Sequence, residues 1–506
     1  MTERVIVSVD SNIGRINPNL HGQFIEHLGN CVYDGIWVGE DSGIRNKNGI
    51  RSNVVDALKS LGPPVVRWPG GCFADDYHWR DGIGPPPRRP RRVNVHWGMG
   101  TEGNEFGTHE FIDFCRQIGA EPYICGNLGT GTVREMRDWL EYLNYEGDSS
   151  LAEERASNGH PDPFNVKYFG IGNESWGCGG NMDPGFYAHQ VRRYSSYLHF
   201  WGDSLYRIAC GPCGGDTGWT RKFFETLTGS GSNARNCIGN IDGFALHYYC
   251  GTSGSATEYS EGQWYGLLAK SMEIESLIVD HRAAMDKFDP ERKVDLVVDE
   301  WGTWHEVMPG TNPRFLRQQN TIRDALVAAI ALDVFNRHSG SLAMANIAQT
   351  VNVLQSMILT QGSEMILTPT YHVFEMYSPH RGCDSLRTMI DTRQIEFESE
   401  IGRSSIPMLA GSSSARAGYV HVSLVNTSVS EWARTEVELH GAGSPELESW
   451  RVLAAEDIHD HNTFDQPERV KPEDMGPGDV LELPPASVNV MRYRLGERYL
   501  SETSRP

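Results

Sequence analysis

The chain has 506 residues, more than one ordinary hydrophobic core serves, so a large domain with a smaller companion is the expected plan. Its formal net charge of −21 disfavours nucleic acid and anionic membrane surfaces as partners. The opening MTERVIVSVD lacks the apolar core of a signal peptide and no apolar run reaches about 18 residues, so a cytoplasmic, non-membrane protein with all ten cysteines reduced is expected.

In chain order, RVIVSVD sets Val5, Val7 and Val9 on one face, a strand pattern of period two. Eight short apolar runs follow: HGQFIEH from His21, VVRWPGG from Val65, PYICGNLG from Pro122, KYFGIGNE from Lys167, RIACGPCG from Arg207, FALHYY from Phe244, DLVVDEW from Asp295 and LAMANIAQT from Leu342. Helical periodicity fills the gaps. SNVVDALKSLG ends at Gly62, a C-cap residue, and EFIDFCRQIGA places Phe111, Cys115 and Ile118 on one face. The longest helical run is FLRQQNTIRDALVAAIALDVFNRH. Eight such units predict an α/β fold, a (β/α)8 TIM barrel over residues 18–380. Beyond it, YVHVSLVN, TEVELH and ASVNVMRYRL alternate apolar and polar residues, as half-buried antiparallel strands do. A jelly-roll-like β-sandwich is therefore expected for residues 381–506, with residues 1–17 joining it. The basic PPPRRPRR (residues 85–92) reads as a solvated or salt-bridged loop rather than a nucleic-acid patch.

Two of the runs end in carboxylates, Glu174 at the fourth strand and Glu300 at the seventh. Either alone reads as a salt-bridged surface glutamate. Together they sit where barrel catalytic groups sit, on facing sides of the mouth, as glycosidic bond cleavage requires. Carboxyl groups about 5 Å apart would mean net retention. Asn173, next to Glu174, can hydrogen-bond a sugar 2-hydroxyl, and Arg67 can hold a carboxylate ionised. Cys210-Gly-Pro-Cys213 invites a redox reading, but it lacks the strand-to-helix setting of such motifs. Cys178 and the His459-Asp-His461 pair lack companions at metal-ligand spacing, so no metal site is expected.

HGQFIEHLG, RWPGGCFADDYHW, GTHEFIDFCRQIGAEP, GIGNESWG, LHYY, VVDEWG, NIAQTVNV and HNTFDQPERVKP occur in this order along nearly the whole chain. In these motifs the chain resembles the retaining α-L-arabinofuranosidases of glycoside hydrolase family 51. The resemblance implies a barrel with a β-sandwich, Glu174 as acid/base and Glu300 as nucleophile. It implies further that Asn173 binds the 2-hydroxyl, Glu26 and Gln349 contact the sugar, Arg67 and Tyr249 orient Glu300, and His247 lines the same wall. Trp97 is expected to stack near the leaving group. Cys72 stands where many relatives carry asparagine, so a weak thiol donor replaces an amide there. Arabinose-containing oligosaccharides or polysaccharides are the implied partners, no cofactor is implied, and a homo-oligomer of six or fewer chains is expected. A β-xylosidase or β-1,4-glucanase would use the same scaffold and carboxylates. A non-catalytic carbohydrate-binding protein would have no use for the pair.

Overall fold

The computed structural model describes residues 2–198, 205–251, 254–400, 402–476 and 481–496. Eight parallel strands close a barrel: β1 (Gly22–Phe24), β2 (Val65–Trp68), β3 (Glu121–Gly126), β4 (Tyr168–Ile171), β5 (Tyr206–Ala209), β6 (Gly243–Tyr249), β7 (Asp295–Gly302) and β8 (Leu342–Ala348). These are the eight runs read from the sequence, in chain order around the barrel.

The alternation of each strand decides what fills the interior. Val65, Tyr123, Tyr168, Ile208, Ala245, Val297 and Met344 form one apolar layer inside the barrel. Two residues further along β2, β3, β6 and β7, the inward positions are Arg67, Cys125, His247 and Asp299, all buried. The floor is therefore apolar and the mouth polar. Helices cover the outside. Helix α1 (Ser52–Leu61) stops at Gly62, whose φ of 63° and N–H bond to Leu58 form the expected left-handed cap. Phe111, Cys115 and Ile118 of α2 (Thr108–Ile118) are buried together.

One helical expectation is corrected. The helix in FLRQQNTIRDALVAAIALDVFNRH starts only at Ile322, in α4 (Ile322–Arg337), where Thr321 and Asp324 make a capping box. The longest helix among the described residues is α3, Glu261–Asp286. In the segment ahead of α4, Gln318 Oε1 accepts from the His305 N–H and Gln319 Nε2 donates to the Asn462 carbonyl.

The second unit is built on a nine-stranded sheet, joined by the N-terminal strand Glu3–Arg15. That strand pairs antiparallel with β9 (Asp384–Asp391) and parallel with β12 (Ala433–His440). Between them in sequence, β10 (Leu409–Arg416) and β11 (Tyr419–Asn426) pair antiparallel. Val5, Val7, Val9, Val420, Val422 and Leu424 enter one core separate from the barrel's. The fold class is the expected barrel with a sheet-rich companion. Asp333 of α4 meets Ser412 and Ser423 across the junction. The basic loop is salt-bridged as expected, Arg89 to Glu110 and Arg92 to Asp81, both at 2.8 Å.

Candidate active site

Glu300 reaches the mouth through an irregularity in β7. Leu246 of β6 pairs with Val298, but the next residue, His247, pairs with Glu300, leaving Asp299 as the extra residue. Plain alternation would point only one of Asp299 and Glu300 inward. The bulge turns both toward the barrel axis, a known use of bulges beside active sites. Glu174 stands three residues beyond β4, on a tight turn at φ 39°. An oxygen of Glu174, the His247 ring and an oxygen of Glu300 all lie within 4.8 Å of one another. That closeness matches the spacing of about 5 Å for retention, not the 6.5–9.5 Å for inversion.

Arg67 organises the floor of this site. Its Nη1 donates to Glu300 Oε1 at 2.6 Å, its Nη2 to Asn173 Oδ1 at 2.5 Å, and its Nε lies 3.5 Å from Asp299 Oδ2. The Tyr249 hydroxyl donates to Glu300 Oε2 at 2.8 Å. His247 bridges the carboxylates: Nδ1 is 2.7 Å from Glu174 Oε1 and Nε2 is 2.9 Å from Asp299 Oδ1. Burial disfavours the charge of Asp299, but Arg67 and His247 outweigh it and hold the carboxyl down at about 2. Burial likewise opposes a charged His247, yet Glu300 and Asp299 raise it well above the usual imidazole range. For Glu300 burial prevails and pushes the carboxyl up, with His247 and Arg67 pulling the other way.

Glu26 lies two residues past β1 on the adjoining wall. Its Oε1 accepts from the Phe73 N–H at 3.1 Å and the Trp97 indole at 2.8 Å, and its Oε2 from Gln349 Nε2 at 3.1 Å. Burial, and then the charge of Glu300, push this carboxyl up to about 7. A Cβ at Gly71 would come within 2.7 Å of both Glu26 oxygens, so only glycine admits the carboxylate there. The carboxylates, Trp97, Tyr249 and Gln349 line a small cavity with about 330 Å³ of empty space. Two larger clefts, one past Arg317 and one around His109, are lined by neither Glu174 nor Glu300, so chemistry rather than size picks out the site.

Every residue that the resemblance assigns to the site lies in this neighbourhood, Trp97 with its indole bonded to Glu26 on the wall of the cavity. One of them departs from expectation. Cys72 is not a thiol: it is bonded to Cys178, which lies 106 residues further along the chain. The expectation of ten free thiols is thereby corrected, as is that of a Cys178 without companion. The loops after β2 and β4 meet at the mouth, and linear spacing cannot reveal that meeting. The two sulfurs lie 3.9 and 3.4 Å from Glu174 Oε2, contacts that carry no hydrogen-bond proton while the bond is intact. Cys210 is buried and Cys213 exposed, both free.

Other groups escaped the sequence reading. Asp299 sat beside Glu300 in VVDEWG without a role, and its contacts depend on the bulge. Asp75, within RWPGGCFADDYHW, accepts from the N–H groups of Leu128, Gly129 and Asn173, fixing the backbone next to Glu174. Trp304, four residues after Glu300, lines the cavity edge-on to Tyr249.

The site can thus present one nucleophilic carboxylate held by a cation and a phenol, with a second carboxylate facing it. Comparison with known proteins agrees. The family described as "Alpha-L-arabinofuranosidase 1 domain" matches residues 57–199, and "Alpha-L-arabinofuranosidase C-terminal domain" matches residues 299–487. An intracellular exo-alpha-L-arabinofuranosidase of Bacteroides ovatus is 44% identical over 476 residues, 92% of this chain and 90% of the relative. The crystal structure of a GH51 arabinofuranosidase from Xanthomonas axonopodis pv. citri superposes with a TM-score of 0.92 at 42% identity, covering 97% of this chain and 100% of that one. An alpha-L-arabinofuranosidase from Thermotoga maritima in complex with arabinose gives 0.85 at 30% identity, covering 98% and 100%. The chain is a glycoside hydrolase and belongs to the α-L-arabinofuranosidases of glycoside hydrolase family 51.

Proposed function

We propose that this protein is a retaining, exo-acting α-L-arabinofuranosidase that removes terminal arabinofuranosyl residues from arabinoxylan, arabinan or their oligosaccharides. The observation that carries the reading is the Glu174–Glu300 pair, oxygens within 4.8 Å, with Arg67 and Tyr249 bonded to Glu300 and not to Glu174. In the first step a Glu300 oxygen attacks the anomeric carbon while Glu174 gives its proton to the departing oxygen. The product is a covalent arabinosyl-enzyme. Glu174 then takes a proton from water, whose oxygen attacks the same carbon and expels Glu300. Two inversions give net retention.

Asn173, with its oxygen engaged by Arg67 and its amide nitrogen 3.9 Å from Cys178 Sγ, offers its second amide hydrogen to the 2-hydroxyl. Glu26 and Gln349 hold hydroxyls at the far edge, and Trp97 and Cys72 close the remaining sides. A cavity this small, walled on three sides, takes one terminal furanose and excludes a continuing chain. We take residues 18–380 as the catalytic barrel, and 1–17 with 381–506 as the sandwich. The Bacteroides ovatus relative is described as intracellular, which supports a cytoplasmic location for this chain. The family resemblance supports a homo-oligomer of up to six chains, which scattering mass measurement checks.

The test is hydrolysis of branched arabinoxylan, with the anomer formed first followed by NMR. Free arabinose released with its α configuration retained supports the reading. Backbone xylan or glucan fragments without arabinose, or initial β-arabinose, would overturn it.

A further inference from the structure

The disulfide at the mouth has a chemistry that the hydrolytic reaction does not use. Cys72 Sγ, Cys178 Sγ and a carboxylate oxygen of Glu174 lie within 4.8 Å of one another, and all three residues are half-buried. The Cα atoms of the two cysteines are 5.5 Å apart, close enough for either a covalent bond or a shared ligand. A tetrahedral zinc-type ion with metal–sulfur bonds near 2.3 Å and metal–oxygen bonds near 2.0 Å has sulfur–oxygen edges of about 3.5 Å. The sulfurs here stand 3.9 and 3.4 Å from Glu174 Oε2. His247 Nδ1 is 2.7 Å from the other Glu174 oxygen, on the far side of the carboxylate from the sulfurs.

We propose that reduction of Cys72–Cys178 converts this corner into a binding site for a thiophilic divalent cation, ligated by both sulfurs and Glu174. A trialkylphosphine reductant supplies the electron pair that breaks the sulfur–sulfur bond. Water supplies the two thiol protons and the oxygen of the phosphine oxide. Each thiol then loses its proton to solvent as the metal binds, because the thiolate is the ligand. Two thiolates and one carboxylate select zinc or cadmium over magnesium or calcium. The fourth position faces the cavity and takes water. With the disulfide intact, neither sulfur has a charge to offer and the site is closed. Metal binding there would occupy the carboxylate to which we assign proton transfer, so loss of turnover rests on that assignment, whereas metal binding itself does not.

The experiment compares oxidised and phosphine-reduced protein, desalted without oxygen, titrated with cadmium. In the reduced protein one cadmium ion per chain should bind, with a thiolate-to-metal charge-transfer band in the ultraviolet. Inhibition should be at least tenfold more potent than in the oxidised protein. Cys178→Ser should lose the band, as should reduced wild type alkylated before titration, which needs no variant to fold. Cys213→Ser should keep it. Equal behaviour of both redox forms, or a band that survives in Cys178→Ser, would overturn the site. Ten thiols in untreated, unfolded protein would overturn its closure by a disulfide. Cadmium bound more weakly by Glu174→Ala than by wild type, yet without loss of wild-type turnover, would refute proton transfer by Glu174 and leave the metal site standing, whereas equal binding by Glu174→Ala would overturn the site.

Discussion

Arg67 donates to Glu300 Oε1 at 2.6 Å from the second barrel strand, and both side chains are buried, so neither charge has water to replace its partner. Removing one member of such a pair destabilises a protein by about 3–5 kcal/mol. Arg67→Met should therefore lower the melting temperature and cut turnover by at least about a hundredfold. It removes a positive charge beside a carboxyl that burial already pushes up, so Glu300 should rise further. The acid limb of kcat/KM against pH should move to higher pH. An unmoved acid limb would mean that Arg67 is only structural.

The two glutamates should respond differently to loss of their side chains. Glu300→Ala should abolish turnover with every leaving group. Glu174→Ala should retain the first step with activated aryl leaving groups, and azide should restore turnover by attacking the arabinosyl-enzyme without needing a base. The measured quantity is turnover of aryl arabinofuranosides of graded leaving-group acidity, with and without azide. Substantial activity of Glu300→Ala on a natural linkage would exchange or void the roles.

Glu26 should leave a signature in the pH dependence of stability. Its carboxyl stands at about 7 in the fold against an ordinary 4.5, so between these values the folded chain holds a proton that the unfolded chain has released. Stability from this group is complete below about 4.5 and is lost as pH rises through about 7. Glu26→Gln should flatten that fall, with Gln349 able to turn its unpaired buried oxygen toward the new amide. Thermal melts across this range check it. In the same region Glu26→Ala should cut turnover ten- to a hundredfold, as expected for lost hydrogen bonds of about 1–3 kcal/mol each.

The barrel–sheet junction should be acid-sensitive. His380 and His421 are buried 5.8 Å apart, and burial holds them down at about 3 and about 4. A base with a depressed value contributes its stability above the ordinary 6.5 and loses it as pH falls toward the folded values. His421→Phe should lessen the loss of melting temperature between neutral and acid pH, although Asp333 nearby, pushed up to about 6 by burial, acts in the opposite direction. An unchanged slope in the variant would place the acid sensitivity elsewhere.

Linear pattern was enough for the eight strands, their order, and the two carboxylates at β4 and β7. These rest on local periodicity and on short motifs, which a chain carries whatever its partners are. The apolar face of RVIVSVD likewise announced a sheet strand. What the sequence alone left open came from contacts between distant segments. α4 starts only at its Thr321–Asp324 capping box, while the residues just ahead of it bond to segments as distant as Asn462. The inward turn of both Asp299 and Glu300 needs the register of β6 against β7, a property of two strands. The bond from Cys72 to Cys178 needs the loops after β2 and β4 to meet over Glu174. Charge states at the mouth follow the same rule. Burial and neighbouring charge shift Glu26, Asp299 and His247, and both are set only when the barrel has closed around them.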